Sequence, residues 1–597
     1  MSEWRPDVLA LFPALLILLC AAVGLNLGSY PQYVVAIAII SMLAGIALVV
    51  LVGLARCITL ASGSIMAIGA YVSTLAAADL RIPYLATLVL AAAGGGCAGW
   101  LIAFPGTRFR GHNLAMVTLV FQSVCIILIR ESTWLTGGAE GVHVPPPRLF
   151  GLIVTSDRAF LILIGSAAAA MTLLITVLVR GRFGKNLQAA AGNEIAAESF
   201  GINVGGYLTA AFIVSSVTIG FAGALLAPRV RILDPDSFGV LDSIFMLAYP
   251  IVGGMQSIWG GLLGGGGLRV LPELLRPVAD YQELFFASLV ILVVLFFPGG
   301  LSELIRRACA PIIKQDSSLA AKSAAAELRL PPVDGKFEQY SDELLVVENV
   351  DKHFDALHAV NGASLRVPVG GIHGLIGPNG AGKTSLFNII SGFLDADSGE
   401  VAFAGKSLLG LRARDRIRLG MTRTFQNVAI FGQLSCLENV IIGLGRNAVL
   451  PAMAASFDYF AGGVASARER RRAFLALESV GLADQARAQA GSLSLGDQRR
   501  LEIARAIVSE PRFILLDEPV SGVAESEIED LQHLLIRINA ERQIAMLVVE
   551  HNIPFVTVLC QNLSVMGAGR ILAEGKPSEV ISLPIVRQLY FGDGVTA

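Results

Sequence analysis

The sequence predicts two domains of different class: a polytopic α-helical membrane domain, followed by an α/β domain built around a phosphate-binding loop. Apolar residues make up 54% of the 597-residue chain. Charged residues make up only 15%, against about 25% in soluble chains, and most of them follow residue 305. Beyond that point the motif GxxxxGKT occurs between a predicted strand and a predicted helix.

The charge balance and the cysteines exclude several function classes. The net charge is -2 and no Lys/Arg run with interleaved aromatics occurs, so no nucleic-acid partner is expected. The seven cysteines are scattered without a CxxC or Cys/His cluster. A disulfide framework or a zinc site is therefore not expected.

Charge-free apolar segments predict the spans of a membrane domain over residues 1–307, since a bilayer core needs roughly 20 apolar residues per helix. Residues 8–55 break at Gly28-Ser29-Tyr30-Pro31 and hold two spans. The other segments are 57–78, 82–107, 113–129, 159–179, 205–228 and 284–302. A cleavable signal peptide over residues 1–25 is the alternative for the first segment, but no small-residue cleavage site supports it.

The segment 57–78 carries more polar side chains than the other predicted spans. They are Thr59, Ser62, Ser64, Tyr71, Ser73 and Thr74. Polar groups are costly in lipid unless they face protein or water. Two interpretations stay open: hydrogen bonding between helices, or a helix that lines a solute path.

Loop charges predict the orientation, because basic residues concentrate in cytoplasmic loops. Such residues are Arg56, Arg108, Arg110, Arg180, Arg182, Lys185, Arg306 and Arg307. The eight predicted spans fit these placements only if the glycine-rich segment 244–270 does not cross once. We therefore expect it to re-enter or to form two short half-helices. A multi-pass protein of the bacterial inner membrane follows, in contact with lipid and with its C-terminal half in the cytoplasm.

A linker is predicted over residues 308–342, which are rich in Ala, Ser, Lys and Pro. The α/β domain then occupies residues 343–597, and its phosphate loop follows the apolar run Ile372–Ile376. Glycine-rich backbone closes around phosphate oxygens, and a helix N-terminus adds a favourable dipole. We expect Lys383 to neutralise the β- and γ-phosphates of ATP and Thr384 to offer its hydroxyl to Mg²⁺. The other residues expected to bind the nucleotide here are Gly377, Asn379, Gly380, Gly382 and Ser385.

Two carboxylates follow a second buried strand. Four apolar residues, Phe513 to Leu516, precede Asp517 and Glu518, so both acids would project from the carboxyl end of a parallel strand. Asp517 would hold Mg²⁺ through water, and Glu518 would orient and polarise the attacking water. An apolar strand that ends in two acids is common by itself; its pairing with the phosphate loop gives it meaning.

The stretch Leu493-Ser494-Leu495-Gly496-Asp497-Gln498 resembles the signature loop of ABC ATPases, usually LSGGQ. The resemblance implies that Ser494 and Gly496 contact ATP bound by a partner subunit. It also implies that Phe354 stacks on adenine. Gln426 matches the family's lid glutamine, a Mg²⁺ ligand with a catalytic contact, and His551 its catalytic switch histidine. The sequence departs from the pattern at Leu495, at Asp497 and at Ala524, where Asp is frequent.

Both halves resemble the branched-chain amino-acid ABC importers, with a permease subunit fused to an ATP-binding subunit. The matching stretches are Gly69–Tyr71, Thr136–Gly141, Arg182–Gly184, Ala196–Asn203, Phe297–Leu301 and Gln498–Ala506. The resemblance makes 186–203 the coupling segment that docks on an ATPase near the lid glutamine, and it includes a long insert near 445–475. It implies a second permease and a second ATPase, or a homodimer, and a periplasmic solute-binding protein.

The resemblance leaves the solute open. The family's permease usually reads Gly-Gln-x-Ser-Leu-Gly-His where this chain has Arg56 to Ser62, so Cys57 replaces Gln and Ser62 replaces His. The coupling segment has Gln188 to Ala191 where an arginine pair is common. Branched-chain amino acids are the expected solute class, and an amide, a urea or an aromatic acid is the alternative. An exporter half-transporter would need long cytoplasmic helical extensions, and a mechanical complex would need a large external domain; neither feature is apparent.

Overall fold

The computed structural model describes residues 10–106, 111–149, 152–276, 281–297, 299–303, 343–445, 448–461 and 464–591. The chain divides into two compact units. The described residues of Met1–Ala191, Val204–Ala320 and Ala452–Gly463 form the membrane unit. Those of Gly192–Asn203, Ala321–Pro451 and Val464–Ala597 form the ATPase unit. The linker predicted over 308–342 lies outside the described residues.

The membrane unit is helical, because backbone polar groups in lipid must be satisfied within a segment. Its first helices are α1 (Phe12–Gly24), α2 (Ser29–Leu48, continued by a π-helical turn at Val49–Leu54), α3 (Ser62–Ala78), α4 (Tyr84–Gly106), α5 (His112–Glu131), α6 (Thr133–Thr136) and α7 (Asp157–Arg180). The chain continues with α8 (Arg182–Gly192), α9 (Glu194–Ser199), α10 (Val204–Val230), α11 (Val240–Gly253), α12 (Ile258–Leu274) and α13 (Gln282–Phe296). In the described chain, six helices are long and apolar enough to cross a membrane.

Two short antiparallel pairs lie between these helices. Strand β1 (Val142–His143) pairs with β4 (Ile232–Leu233), and β2 (Arg148–Leu149) pairs with β3 (Leu152–Ile153). The β1–β4 pair ties the loop that follows α5 to the end of α10.

Glycines bring the long membrane helices into backbone contact. A Cβ on Gly69 of α3 would lie 2.0 Å from the carbonyl oxygen of Gly220 of α10. A Cβ on Gly45 of α2 would lie 2.2 Å from that of Gly261 of α12. Small residues allow this approach, and the resulting van der Waals contact holds helices together where lipid provides no hydrophobic drive.

The glycine-rich segment 244–270 breaks, as predicted. Helix α11 ends at Gly253, and Gly254 has φ +122°, a conformation that favours glycine. Helix α12 starts at Ile258 and packs on α11 so closely that a Cβ on Gly264 would lie 1.8 Å from the Tyr249 carbonyl oxygen. The segment is thus two helices joined by a tight turn; its re-entry into the membrane stays a prediction.

The predicted span 57–78 is helical only from Ser62. Residues 55–61 are not helical, and Arg56 has φ +54° at the position where the family pattern has glycine. The prediction of one uninterrupted span was wrong at this end. Apolar composition alone does not reveal a backbone break of this kind.

The ATPase unit contains two sheets. The larger has six strands in the order β10-β11-β12-β7-β13-β14, parallel except for β14, and the smaller has four in the order β6-β5-β8-β9. The strands are β5 (Glu343–Phe354), β6 (Leu357–Pro368), β7 (Ile372–Ile376), β8 (Ser398–Phe403), β9 (Lys406–Ser407), β10 (Met421–Arg423), β11 (Phe513–Asp517), β12 (Ala545–Val549), β13 (Asn562–Gly567) and β14 (Arg570–Gly575). Every residue of β7, β11 and β12 is buried, as predicted for continuous apolar strands.

Helices accompany this sheet, and one of them belongs mostly to the other unit. They are α14 (Lys383–Ser391), α15 (Ala413–Arg416), α16 (Cys436–Ile442), α17 (Val449–Phe460), α18 (Val464–Ser479), α19 (Leu495–Ile507), α20 (Glu525–Arg542), α21 (Ile553–Leu559), α22 (Pro577–Ser582) and α23 (Pro584–Phe591). Most of α17 belongs to the membrane unit, whereas α9 belongs to the ATPase unit.

Candidate functional site

The candidate site lies along the carboxyl edge of the parallel sheet. Strands β7, β11, β12 and β10 are parallel, so the loops that follow them emerge at one edge. These loops carry the phosphate loop, the acid pair, His551 and Gln426, respectively. The sheet therefore gathers sequence motifs that lie far apart along the chain.

The phosphate loop has the backbone conformation that its glycines allow. Gly380 and Gly382 have φ values of +81° and +98°, and a Cβ on Gly382 would lie 2.2 Å from the Ala359 carbonyl oxygen. Lys383 opens α14, and its Nζ donates to the carbonyl oxygens of Gly377 and Pro378 at 2.6 and 2.8 Å. Burial lowers the pKa of Lys383, and Glu518 and Asp517 oppose that shift. The ammonium thus lies over the loop that is expected to hold phosphate.

Asp517 forms a buried ion pair that sequence reasoning missed. Its Oδ2 lies 3.1 Å from Nη2 of Arg423 at the end of β10, and both side chains are buried. Nη1 of Arg423 donates to Asn388 Oδ1 and to Ser391 Oγ, both at 2.7 Å, which fixes the guanidinium against α14. Burial raises the pKa of Asp517, and Arg423 opposes that shift. The available signal was an arginine three residues before the predicted lid glutamine Gln426.

Glu518, Gln426 and His551 come together at the sheet edge. Nε2 of Gln426 donates to Glu518 Oε2 at 2.9 Å, and Nδ1 of His551 lies 3.8 Å from Glu518 Oε1. Glu518 has φ +44°, a strained value for a residue with a Cβ, which its backbone N–H helps to hold by donating to Val549 O at 2.9 Å. Buried Glu550 fixes the following turn by accepting from the backbone N–H of His551 at 2.9 Å. The predicted catalytic trio is thus adjacent.

A second buried charge cluster supports these residues from α19. Glu502 accepts from the backbone N–H of Phe425 and from Arg499 Nη1, each at 3.1 Å. Arg499 also donates to the backbone carbonyl oxygens of Phe425 and Gln426. Burial raises the pKa of Glu502, and Arg505 and Arg499 oppose that shift. The cluster thus fixes the backbone at Gln426. Its signal in the sequence was the spacing of Arg499, Glu502 and Arg505, which lie on one face of the helix.

The same cluster contacts the permease segment that joins the ATPase unit. Arg505 is fully buried and donates to Ala429 O at 2.7 Å. Its guanidinium carbon lies 4.6 Å from the ring centre of Phe200 and 4.8 Å from that of Phe431. A cation held between two aromatic rings is a favourable and specific contact. Phe200 follows α9, so a chain of contacts leads from this segment through Arg505 and Glu502 to the Gln426 loop.

The signature residues have their own local contacts. Ser494 caps α19 by accepting from the backbone N–H of Asp497 at 3.1 Å. A Cβ on Gly496 would lie 2.3 Å from a Glu527 carboxylate oxygen, so a larger residue here would displace the Glu527 side chain. Asp497 accepts from Gln485 Nε2 at 3.2 Å, while the Leu495 side chain is 43% exposed. The two departures from the family pattern therefore differ, because Asp497 is tied to its own unit and Leu495 presents an apolar surface.

The remaining predicted nucleotide contacts lie at the surface. Phe354 ends β5 and is 45% exposed, so its ring is available for stacking. Thr384 is exposed, and Ser385 is half-buried, in the first turn of α14. Thr384 hydroxyl, Gln426 amide and Asp517 carboxylate oxygens are hard donors of the kind that Mg²⁺ prefers. Within the described ranges, no group of three His, Cys, Asp or Glu side chains could hold a metal ion by itself.

In the membrane unit, backbone N–H groups at the start of α3 donate to side chains of neighbouring helices. Gln122 of α5 accepts from the backbone N–H of Ser64 and donates to Phe238 O, each at 2.6 Å. Ser243 Oγ accepts from the backbone N–H of Gly63 at 2.9 Å. Further along α3, Ser73 Oγ donates to Thr87 Oγ1 of α4 at 3.0 Å. The Ser73–Thr87 bond supports the interpretation of interhelical hydrogen bonding for this side chain; Gln122 was missed because an isolated glutamine has no motif.

Comparison with known protein families agrees with both halves. The family described as "Branched-chain amino acid transport system / permease component" matches residues 30–297, and "ABC transporter" matches residues 360–521. The "High-affinity branched-chain amino acid transport ATP-binding protein BraF" of Pseudomonas aeruginosa is 34% identical over 253 residues, 42% of this chain and 99% of the relative. The permease match and the ATPase match therefore name the same transport system.

Two further matches concern the ATPase half. The "Lipopolysaccharide export system ATP-binding protein LptB" of Acidithiobacillus ferridurans is 33% identical over 252 residues, 42% of this chain and 98% of the relative. A solved nucleotide-free ATP-binding cassette from an ABC transporter is 32% identical, covering 42% of this chain and 100% of its own, with a TM-score of 0.37. Because an export ATPase is about as similar as BraF, the ATPase sequence by itself does not separate import from export.

Proposed function

Because the chain belongs to the branched-chain amino-acid family of ABC transporters, we propose that it imports branched-chain amino acids or a related small solute across the bacterial inner membrane. It is a membrane protein whose ATPase hydrolyses ATP and couples hydrolysis to transport. The observation that carries the proposal is the permease match over residues 30–297 of the same chain.

The geometry at the sheet edge supports a division of labour in hydrolysis. Lys383 and the phosphate loop bind the β- and γ-phosphates, and Mg²⁺, when bound with ATP, would neutralise charge on their oxygens. Glu518 orients and polarises the attacking water, and Gln426 and His551, which flank its carboxylate, hold it in place. Arg423 fixes Asp517 at the carboxyl end of β11.

Assembly with further subunits follows from the signature loop. In this family Ser494 and Gly496 would contact ATP bound by a partner, so a second ATPase completes each site. The partners proposed are a second permease and a second ATP-binding subunit, or a second copy of this chain. An external solute-binding protein would deliver the solute.

The short length of the coupling segment favours import over an exporter half-transporter, because exporters extend their spans well into the cytoplasm. Residues 192–203 form one short helix and its flanks in the ATPase unit. Phe200 contacts Arg505, which pairs with Glu502, and Glu502 bonds to the loop that carries Gln426. These contacts connect the segment that takes part in transport with a residue expected to take part in hydrolysis.

A different small solute is the second candidate. Cys57 and Ser62 stand where the family pattern has glutamine and histidine, and both are buried at the break before α3. Either the solute differs from an aliphatic amino acid and is an amide, a urea or an aromatic acid, or the contacts with partner subunits have changed.

Reconstituted vesicles test the proposal. The chain is purified with its co-expressed partners, and ATP-dependent uptake of labelled leucine, a short amide, urea and benzoate is measured with and without the solute-binding protein encoded nearby. We expect uptake of one solute class and an ATPase rate that the loaded binding protein raises. A full ATPase rate in a homodimer that ignores every binding protein would refute the import function.

A further inference from the structure

Helix α17 lies within the ATPase sequence, yet residues Ala452–Gly463 belong to the membrane unit. Ala452 and Ser456, one helical turn apart, are fully buried, whereas Leu450 is 77% exposed. A helix that buries its small residues and exposes a leucine is docked through that small face. Helix α17 therefore packs at a specific site in the membrane unit.

This packing site is Gly181, between α7 and α8. A Cβ on Gly181 would lie 2.2 Å from the Ser456 Cβ and 2.4 Å from its Oγ. Gly181 has φ -79° and ψ -165°, which any residue adopts, so its backbone does not require glycine. Glycine is needed here because Ser456 occupies the space of a side chain.

Ser456 also supplies the hydrogen bond that Gly181 cannot. The first N–H groups of a helix have no partner within the helix, and a serine, threonine, aspartate or asparagine at the cap usually accepts from one of them. Gly181 precedes α8 and has no such oxygen. Instead Ser456 Oγ accepts from the backbone N–H of Phe183 at 3.1 Å and donates to Ala452 O at 3.0 Å.

Helix α8 connects this cap to both units. The Phe183 ring stacks on Tyr207 of α10 with ring centres 5.8 Å apart, and Asn186 Nδ2 donates to the Tyr207 hydroxyl at 2.8 Å. The other end of α8, at Gly192, leads into the segment that contacts Arg505 in the ATPase unit.

We propose that α17 is a second coupling contact. Ser456 caps α8 in place of a residue that adjoins α8 in the sequence. The ATPase sequence therefore contacts α8 at its N-terminal end as well as the chain beyond its C-terminal end. Ser456 is a positioning residue and does not touch nucleotide. Because α8 is contacted at both ends, a displacement of α8 is transmitted to α10 through the contact of Phe183 with Tyr207. The transport readout of this proposal rests on the proposed function; the helix cap does not.

Amide hydrogen exchange on the full chain in lipid nanodiscs tests the cap without a solute. We expect Ser456→Ala, which keeps the volume and removes the hydroxyl, to speed exchange at the start of α8 roughly 5-fold, the effect of losing a helix cap. Ser166→Ala is the matched control, because the Ser166 hydroxyl bonds within its own helix to Leu163 O. Unchanged exchange over Arg182–Lys185 in Ser456→Ala would overturn the proposal.

A compensating pair separates capping from coupling. In Gly181→Ser/Ser456→Gly the Ser456 side chain is removed and α8 acquires a cap from its own segment; α17 must still shift slightly, because a Cβ at position 181 would lie 2.5 Å from the backbone Cα of residue 456. We expect exchange at α8 to return to the wild-type rate, whereas ATP-driven uptake stays roughly 3-fold below wild type at an unchanged basal ATPase rate. Full recovery of uptake would show that only the cap matters and would overturn the second coupling contact. If wild-type vesicles take up none of the solutes offered, the proposed function fails while the exchange result still decides the cap.

Discussion

Two segments of this chain belong to the compact unit opposite their sequence neighbours, and they dock by different chemistry. Residues 192–203 of the permease sequence meet the ATPase unit through an aromatic ring on a buried arginine. Residues 452–463 of the ATPase sequence meet the membrane unit through a glycine gap and one serine hydroxyl. The first contact continues into the charge cluster under Gln426, and the second continues into membrane helices through Phe183.

The difference follows from the surroundings. In the ATPase unit, Arg505 and Glu502 are buried together, so each charge has a partner and the cluster is rigid. At Gly181 the contact is made by close packing and one hydroxyl hydrogen bond, next to the buried basic side chains of Arg182 and Lys185. Loss of a contact in the ATPase unit should therefore cost a large free energy of unfolding, and loss of a contact in the membrane unit a smaller one.

The largest effect is expected at the chemical step on which both segments depend. Glu518→Gln should retain ATP binding and lower turnover at least about 100-fold, because the water loses its polarising carboxylate while the phosphate loop is intact. ATP hydrolysis and nucleotide binding by the purified chain measure this. Hydrolysis at the wild-type rate would remove Glu518 from the catalytic role.

Loss of the buried arginine should cost the next largest amount. Arg505→Met leaves Glu502 with one fewer counter-charge in a buried site, and we expect a loss of about 3–5 kcal/mol in unfolding free energy. Arg500→Met on the same helix is the control. Its partner Asp530 is exposed and 3.5 Å away, so a loss under about 1 kcal/mol is expected. Equal losses in chemical denaturation would contradict the assigned role of the buried cluster.

A smaller and more selective effect is expected at the segment itself. Phe200→Leu keeps an apolar side chain and removes the ring over Arg505, a contact of about 2 kcal/mol when desolvated. We expect uptake per ATP to fall several-fold while basal hydrolysis changes little. Ile195→Ala alters an exposed position of α9 and should leave both rates unchanged. Wild-type coupling in Phe200→Leu would show that the ring contact is only structural.

A pH dependence, confined to acidic solution, should identify unfolding of the ATPase unit. Burial lowers the pKa of His373 to about 4, while the unfolded chain binds a proton from about pH 6.5 downward. Because the unfolded state binds more protons over that interval, stability falls as pH drops from about 6.5 to 4, by roughly 3 kcal/mol in all. His373→Gln does not titrate and should flatten this part of the melting profile. The same slope in the variant would assign the pH dependence to other groups.

Much of this architecture could be predicted from sequence, because the features concerned are local. The break at Gly254 follows from glycine density, and β7, β11 and β12 follow from continuous apolar runs. The family residues Gln426, Glu518 and His551 were named from order and spacing, and the parallel sheet explains why they meet. Their catalytic roles stay predictions. The start of α3 was mispredicted because composition does not report a backbone turn at Arg56.

What the sequence determined by itself is the pairing of a permease with an ATPase in one chain, since apolar length and the phosphate-loop motif are each readable within short windows. Tertiary structure alone decided which residues connect the two kinds of chemistry. No partner was assigned from sequence to Arg423, Glu502, Arg505, Gln122 or Ser456, and each bonds to a residue more than thirty positions away. A single buried side chain acquires its role from the partners that the fold brings to it, and those partners are set by packing over the whole chain.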